Sequence, residues 1–98
     1  MPAFAVIYRY TDDTTARDAH RPDHRAFLKR VYEEQKIIFS GPMNENGAPS
    51  ALLMMRGESV EEIASLLDSD PFNTAGLIKK REIRPFEVVF GWLPDPQS

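Results

Sequence analysis

Two stretches of helical apolar spacing lie among four short runs rich in β-branched and aromatic residues, in the order β-α-β-β-α-β. That order predicts an α+β fold of the ferredoxin-like type, a four-stranded antiparallel sheet with both helices on one face. A further observation concerns the sheet. Its strands read as apolar on both faces, whereas a sheet with one wet face alternates apolar and polar residues. Helices on one side leave the other bare, so the pattern predicts a homodimer packed sheet against sheet, of the dimeric α+β barrel type.

Residues 4–10 (FAVIYRY) form the first strand, short, β-branched and aromatic. Residues 11–15 (TDDTT) have loop chemistry. The first helix is expected to begin near Pro22, because proline is tolerated at the first helical position. Ala26, Phe27, Leu28, Val31 and Tyr32 give its apolar face, and Arg25, Lys29, Arg30, Glu33 and Glu34 its polar side. Residues 37–40 form the second strand, closed by Gly41-Pro42, and residues 44–49 (NENGAP) a turn or short loop. The third strand covers residues 51–55. Ser59 opens the second helix, and Ser59 with Glu62 has the spacing of a capping box, each side chain bonding the other's backbone N–H. Val60, Ile63, Ala64 and Leu67 are its apolar stripe. Residues 68–71 break that helix, since a residue before proline avoids helical geometry. A further turn falls within residues 72–77. The last strand is expected over residues 83–92, with Pro85 marking an edge or a bulge. The final LPDPQS reads as a tail.

The 98 residues make one domain, 1–98, with 42% hydrophobic and 28% charged residues, a globular composition. The net charge of −3 argues against a nucleic-acid partner, since phosphate binding needs clustered positive charge. Cysteine is absent, which excludes disulfides, thiolate metal sites and Cys nucleophiles. No apolar run reaches the roughly 20 residues of a membrane span, and the opening MPAFAVIYRY does not resemble a signal peptide. The expectation is a cytoplasmic protein with no membrane partner.

Few residues carry candidate chemistry. His20 and His24 are four apart, but a metal site usually needs a third ligand, and Pro22 sets His20 ahead of the expected helix, so no metal is expected. His24 falls on the stripe facing the sheet, in the expected first helical turn, where the helix dipole would keep its imidazole neutral. It reads either as a general base or as a histidine at the edge of the core. Asp70 before Pro71 is an N-cap in its own right, and it also suits an imidazole partner if the two meet in space. Ser40 could donate to a substrate oxygen or simply end a strand. Arg9 could bind an anion or pair with a carboxylate. Phe72 and Tyr8 could wall a pocket or pack in the core.

Four segments together resemble a known family. Arg21-Pro22-Asp23-His24-Arg25-Ala26-Phe27-Leu28 resembles the RPxHxxxL segment of the YciI-like (YCII-related) family. Ser40-Gly41-Pro42 resembles its SGP segment, and Asp70-Pro71-Phe72 with Ala75-Gly76-Leu77 its DPF and AG segment. Arg84-Pro85-Phe86 resembles its late P-F strand. The resemblance covers nearly the whole chain. It implies a ferredoxin-like α+β dimer with a His–Asp pair lining a pocket, here His24 and Asp70, and Ser40 as a third member. One branch of the family is associated with dehydrochlorination of hydroxylated aromatics. The expectation is therefore proton-transfer, lyase-like chemistry on a small, aromatic or phenolic substrate, without a cofactor. His24 would move the proton, Asp70 would orient it, and Ser40, Arg9, Tyr8 and Phe72 would contact the substrate. The alternatives are a non-catalytic ligand-binding dimer and a cofactor-free oxygenase of the dimeric α+β barrel type.

Overall fold

The structure is a computed structural model that describes residues 2–93, apart from the side chain of Glu45. Its elements run β1 (Ala3–Tyr10), α1 (Thr14–Glu33), β2 (Ile37–Glu45), β3 (Ala48–Arg56), α2 (Val60–Leu67), α3 (Pro71–Thr74) and β4 (Ile78–Phe86). The four strands form one antiparallel sheet in the order β2-β3-β1-β4. This is the expected ferredoxin-like α+β arrangement, with β1 and β3 central.

The core lies between the sheet and the helices. Phe4, Val6 and Tyr8 alternate along β1 and face Leu53 and Met55 of β3 together with Phe27 and Val31 of α1 and Ile63 and Leu67 of α2. Positions 24, 27 and 31 share one face of α1, so the spacing that buries Phe27 and Val31 also turns His24 inward. Each fully buried apolar side chain of this kind contributes about 1.5–3 kcal/mol. Gly57 sits so close to that core that a Cβ there would lie 2.7 Å from Cδ1 of Ile63.

Several boundaries differ from the sequence reading. The helix expected near Pro22 starts at Thr14, capped by Asp13, whose side chain accepts the Ala16 N–H at 3.0 Å. Pro22 lies inside α1 and is exposed. It removes one helical hydrogen bond, but on the outer face the freed carbonyl stays open to solvent, and the buried positions on the other face carry the helix through. His20 is therefore helical, and His24 lies in the middle of α1, where the dipole argument no longer applies.

Gly41-Pro42 does not close β2. The strand continues to Glu45, and proline is accommodated because β2 is an edge strand. The loop expected at 44–49 contracts to Asn46-Gly47, with φ of 52° and 82°, between the paired residues Glu45 and Ala48. Two positive φ values are what a two-residue hairpin turn requires, and Asn-Gly supplies them. Ser59 caps α2 by accepting the Glu62 N–H at 3.1 Å, but the Glu62 carboxylate takes the N–H of Glu58 at 2.8 Å rather than that of Ser59.

The last strand is displaced the most. It covers Ile78–Phe86, not 83–92, and it is indeed an edge. The uncovered face is consequently not apolar throughout. Ala5, Ile7, Leu52 and Met54 share it with Phe39, but β4 adds Lys80, Glu82 and Arg84 beside Arg9. Lys80 at 3.1 Å holds the Glu82 carboxyl below its ordinary value, with Arg9 and Arg84 adding to the effect. Val89, Phe90 and Trp92, read from sequence as strand, follow β4 as exposed chain. Most of the LPDPQS tail lies outside the described residues.

Candidate active site

The site begins at the break between α2 and α3. Pro71 occupies the first position of α3 and holds Asp70 in extended backbone, φ −60° and ψ 127°, so the Asp70 side chain folds back over the helix start. Its Oδ1 accepts the Phe72 N–H at 2.9 Å. The same oxygen lies 2.8 Å from Nδ1 of His24, and Oδ2 accepts the Tyr8 hydroxyl at 3.0 Å. Asp70 is 0% exposed. A carboxylate at that depth is tolerated because donors from three elements meet it.

A carboxylate oxygen has no proton to donate, so Nδ1 of His24 carries the hydrogen and Nε2 keeps its lone pair in the neutral ring. The imidazole stacks on Phe72, with ring centroids 3.8 Å apart and planes 6° from parallel, while Tyr10 meets the Phe72 ring edge-on at 5.5 Å. Two hydrogen-bonded and stacked surfaces thus fix the ring. Burial first, then the Asp70 charge, pushes the Tyr10 hydroxyl up to about 12. The same causes raise Tyr8 further, which keeps it a donor to Asp70.

His24 lines a cavity of about 520 Å³ between α1 and the β2–β3 hairpin. With Nδ1 committed to Asp70, Nε2 is the nitrogen left for a ligand. Phe72 and Tyr10 line the cavity near His24, and Ser40, Gly41 and Pro42 line it from β2. The structure thus brings His24, Asp70, Phe72 and Ser40 to one region. It keeps three sequence candidates out of the wall, among them Asp70, which is fully buried and reaches the cavity only through His24. Tyr8 is buried behind Asp70, and Arg9 lies on the opposite face of the sheet, 3.4 Å from Glu82. The physical reason is the period of a strand: Tyr8 and Tyr10 point to the helices, so Arg9 between them points away.

Other lining residues escaped the sequence reading. Arg17, Arg21, Arg25 and Lys29 all line the cavity from α1. The signal for them is their fourfold spacing, which a helix beginning at Pro22 does not contain in full. Arg17 is 6% exposed, hydrogen-bonds the Thr11 carbonyl, and holds its guanidinium 5.5 Å from the Tyr10 ring centroid. Among the described residues, no group of three His, Asp or Glu side chains is arranged to hold a metal ion.

Residues 3–87 match the family described as the YCII-related domain. The chain belongs to that family. It is 30% identical over 95 residues to Protein YciI of Escherichia coli O6:H1, covering 87% of this chain and 97% of that one, and equally similar to Protein YciI of Shigella flexneri. Among solved structures it resembles 5-chloro-2-hydroxyhydroquinone dehydrochlorinase (TftG) from Burkholderia phenoliruptrix AC1100, determined in complex with 2,5-dihydroxybenzoquinone. That likeness has a TM-score of 0.76 at 24% identity and covers 87% of this chain and 93% of TftG. The YCII-related fold is therefore the one seen here. No helix among the described residues is long and apolar enough to cross a membrane.

Proposed function

We propose that this YCII-related protein is a small-molecule enzyme in which His24 and Asp70 carry out general acid–base chemistry on a hydroxylated aromatic substrate. The observation that carries the reading is the 2.8 Å contact between Nδ1 of His24 and the buried Oδ1 of Asp70, with His24 opening onto a cavity of about 520 Å³. Nε2 takes a proton from a ring hydroxyl or an acidic C–H, and Asp70 stabilises the imidazolium that forms. Ser40, on the facing wall, hydrogen-bonds a substrate oxygen. In a lyase-type step a leaving group departs with its bonding pair as His24 holds the proton. The dehydrochlorinase activity named for TftG supports this reaction class, and the ring bound in that structure supports the substrate class. The reading uses no cofactor.

The test follows chloride release from 5-chloro-2-hydroxyhydroquinone and deuterium exchange into the ring of hydroxyquinol, with and without oxygen. His24→Ala should slow whichever reaction the wild type performs by about 10²–10⁴, the usual contribution of a positioned acid–base group. Equal rates for the two proteins would remove the catalytic reading and leave a binding protein. Consumption of oxygen in step with substrate would favour the oxygenase reading instead.

We also propose that the open sheet face pairs two copies of the chain. The apolar strip of Ala5, Ile7 and Leu52 supports this, together with Phe39 at 46% exposure. So does the apolar segment after β4, in which Val89, Phe90 and Trp92 are at least 80% exposed. Sedimentation at micromolar concentration should return about twice the 11.2 kDa chain mass. A single-chain mass at that concentration removes the pairing.

A further inference from the structure

The wall that α1 gives to the cavity is a ladder of cations. Arg17, Arg21, Arg25 and Lys29 recur every fourth residue, and all four line the cavity. On a helix this spacing stacks side chains along one ridge, here about 18 Å long. His24 sits within the same stretch of helix. No Asp or Glu lines the cavity among the described residues.

The cations are not equivalent. Arg17 is held by the Thr11 carbonyl and the Thr14 hydroxyl, and Arg21 is paired with Asp18. Arg25 and Lys29 have no carboxylate partner among the described residues, and both are exposed. The whole chain carries a net charge of −3, so this ridge is a local reversal of sign rather than a reflection of overall composition. A concave site with one sign of charge concentrates ligands of the other sign. The facing wall, Ser40 to Pro42, is uncharged, and Phe72 and Tyr10 make the lining near His24 aromatic.

We infer that the cavity selects a small aromatic acid, its ring lying against the aromatic lining and its carboxylate gripped by Arg25 and Lys29. This rests on the reading of the cavity as the substrate site and narrows the substrate from any phenol to one bearing a permanent negative charge. Guanidinium and ammonium donors to a carboxylate form charge-assisted hydrogen bonds, roughly twice as strong as neutral ones. A neutral phenol would leave both cations unused.

Calorimetric titration of the full chain with 2,5-dihydroxybenzoate, hydroquinone and inorganic phosphate tests this. The acid should bind at least about tenfold more tightly than either other probe. Raising salt from about 20 to about 500 mM should weaken the acid and leave hydroquinone unchanged, because only the charged ligand is screened. In Arg25→Gln/Lys29→Gln the acid should fall to the affinity of hydroquinone, while hydroquinone binds as before. Both side chains are exposed, so the variant should fold, and the unchanged hydroquinone affinity would verify it. Equal affinity for acid and hydroquinone in the wild type overturns the inference. So does phosphate binding as tightly as the acid, since the ring would then contribute nothing. Either result leaves the His24–Asp70 chemistry standing. Conversely, a clear preference for the acid with no rate difference between wild type and His24→Ala keeps the anion site and removes the catalytic reading.

Discussion

Replacing Asp70 with alanine should destabilise the fold by about 3–9 kcal/mol, because three buried donors would lose their acceptor at roughly 1–3 kcal/mol each. Those donors are the Phe72 N–H, Nδ1–H of His24 and the Tyr8 hydroxyl. Domains of this size are stable by only about 5–15 kcal/mol, so the variant should melt far earlier or fail to fold. Asp70→Asn separates structure from chemistry. The Phe72 N–H and Nδ1–H both point at Oδ1, so the amide oxygen must take that position. The amide NH₂ then faces Tyr8, whose hydroxyl can turn and accept. Asn also caps helices nearly as well as Asp. Stability should therefore drop by no more than about 1 kcal/mol, and the Nδ1–H tautomer should persist. What disappears is the negative charge that supports an imidazolium. Turnover should fall about ten- to a hundredfold, with melting near that of the wild type. If Asp70→Asn melts as early as Asp70→Ala, Oδ1 is not the shared acceptor. If it turns over at the wild-type rate, the charge has no part in the reaction.

The parts of this arrangement legible in the sequence are those with a local cause. Asp70-Pro71 announces a cap because proline restricts its predecessor, and the Asp70 side chain does cap Phe72. Ser59 announces the start of α2 for the same kind of reason, although the reciprocal Glu62 bond shifts to Glu58. The meeting of His24 with Asp70 has no local cause, since 46 residues separate them. Only the family resemblance implies it in the sequence, and the contact itself is 2.8 Å long.

The misread segments are those in which charged side chains occupy positions that periodicity assigns to apolar ones. The first half of α1 buries Arg17, whose guanidinium is satisfied by the Thr11 carbonyl and the Tyr10 face. A hydrophobicity pattern cannot register such a residue as inward-facing, so apolar periodicity alone starts the helix at Pro22. The first half of β4 behaves in the same way. Arg81 pairs with Asp68 at 2.9 Å on the helix side, and Glu82 pairs with Arg9 and Lys80 on the other. Alternation is present, but it is an alternation of ion pairs. The α1 cation ridge escapes the same pattern, because two of its four members lie before Pro22.

Alkaline unfolding should set in above about pH 10 and be steeper than one titrating group can produce. Tyr10 is raised to about 12 in the folded chain, and Tyr8 is raised further, both chiefly by burial and secondly by the charge of Asp70. In the unfolded chain both revert to about 10. Below about pH 10 both are protonated in either state, and the stability linked to them is fully present. Above it the unfolded chain releases two protons that the folded chain retains, so stability falls as pH rises. The limiting slope is about 2.7 kcal/mol per pH unit, twice the single-proton value, until Tyr10 ionises near 12. Tyr10 is only partly buried, and solvent screening should bring the observed slope below that limit. Beyond that point Tyr8 alone continues the loss. Tyr10→Phe keeps the ring contacts with Phe72 and Arg17 and removes one of the two protons. Urea melts at several values between about pH 9 and about pH 12 should show its slope reduced towards half that of the wild type, while the two proteins agree at neutral pH. Lysine titration is common to both chains and cancels in the comparison. Parallel curves for the two proteins across that range would mean that Tyr10 ionises as readily folded as unfolded, and that it does not pack against the site as described.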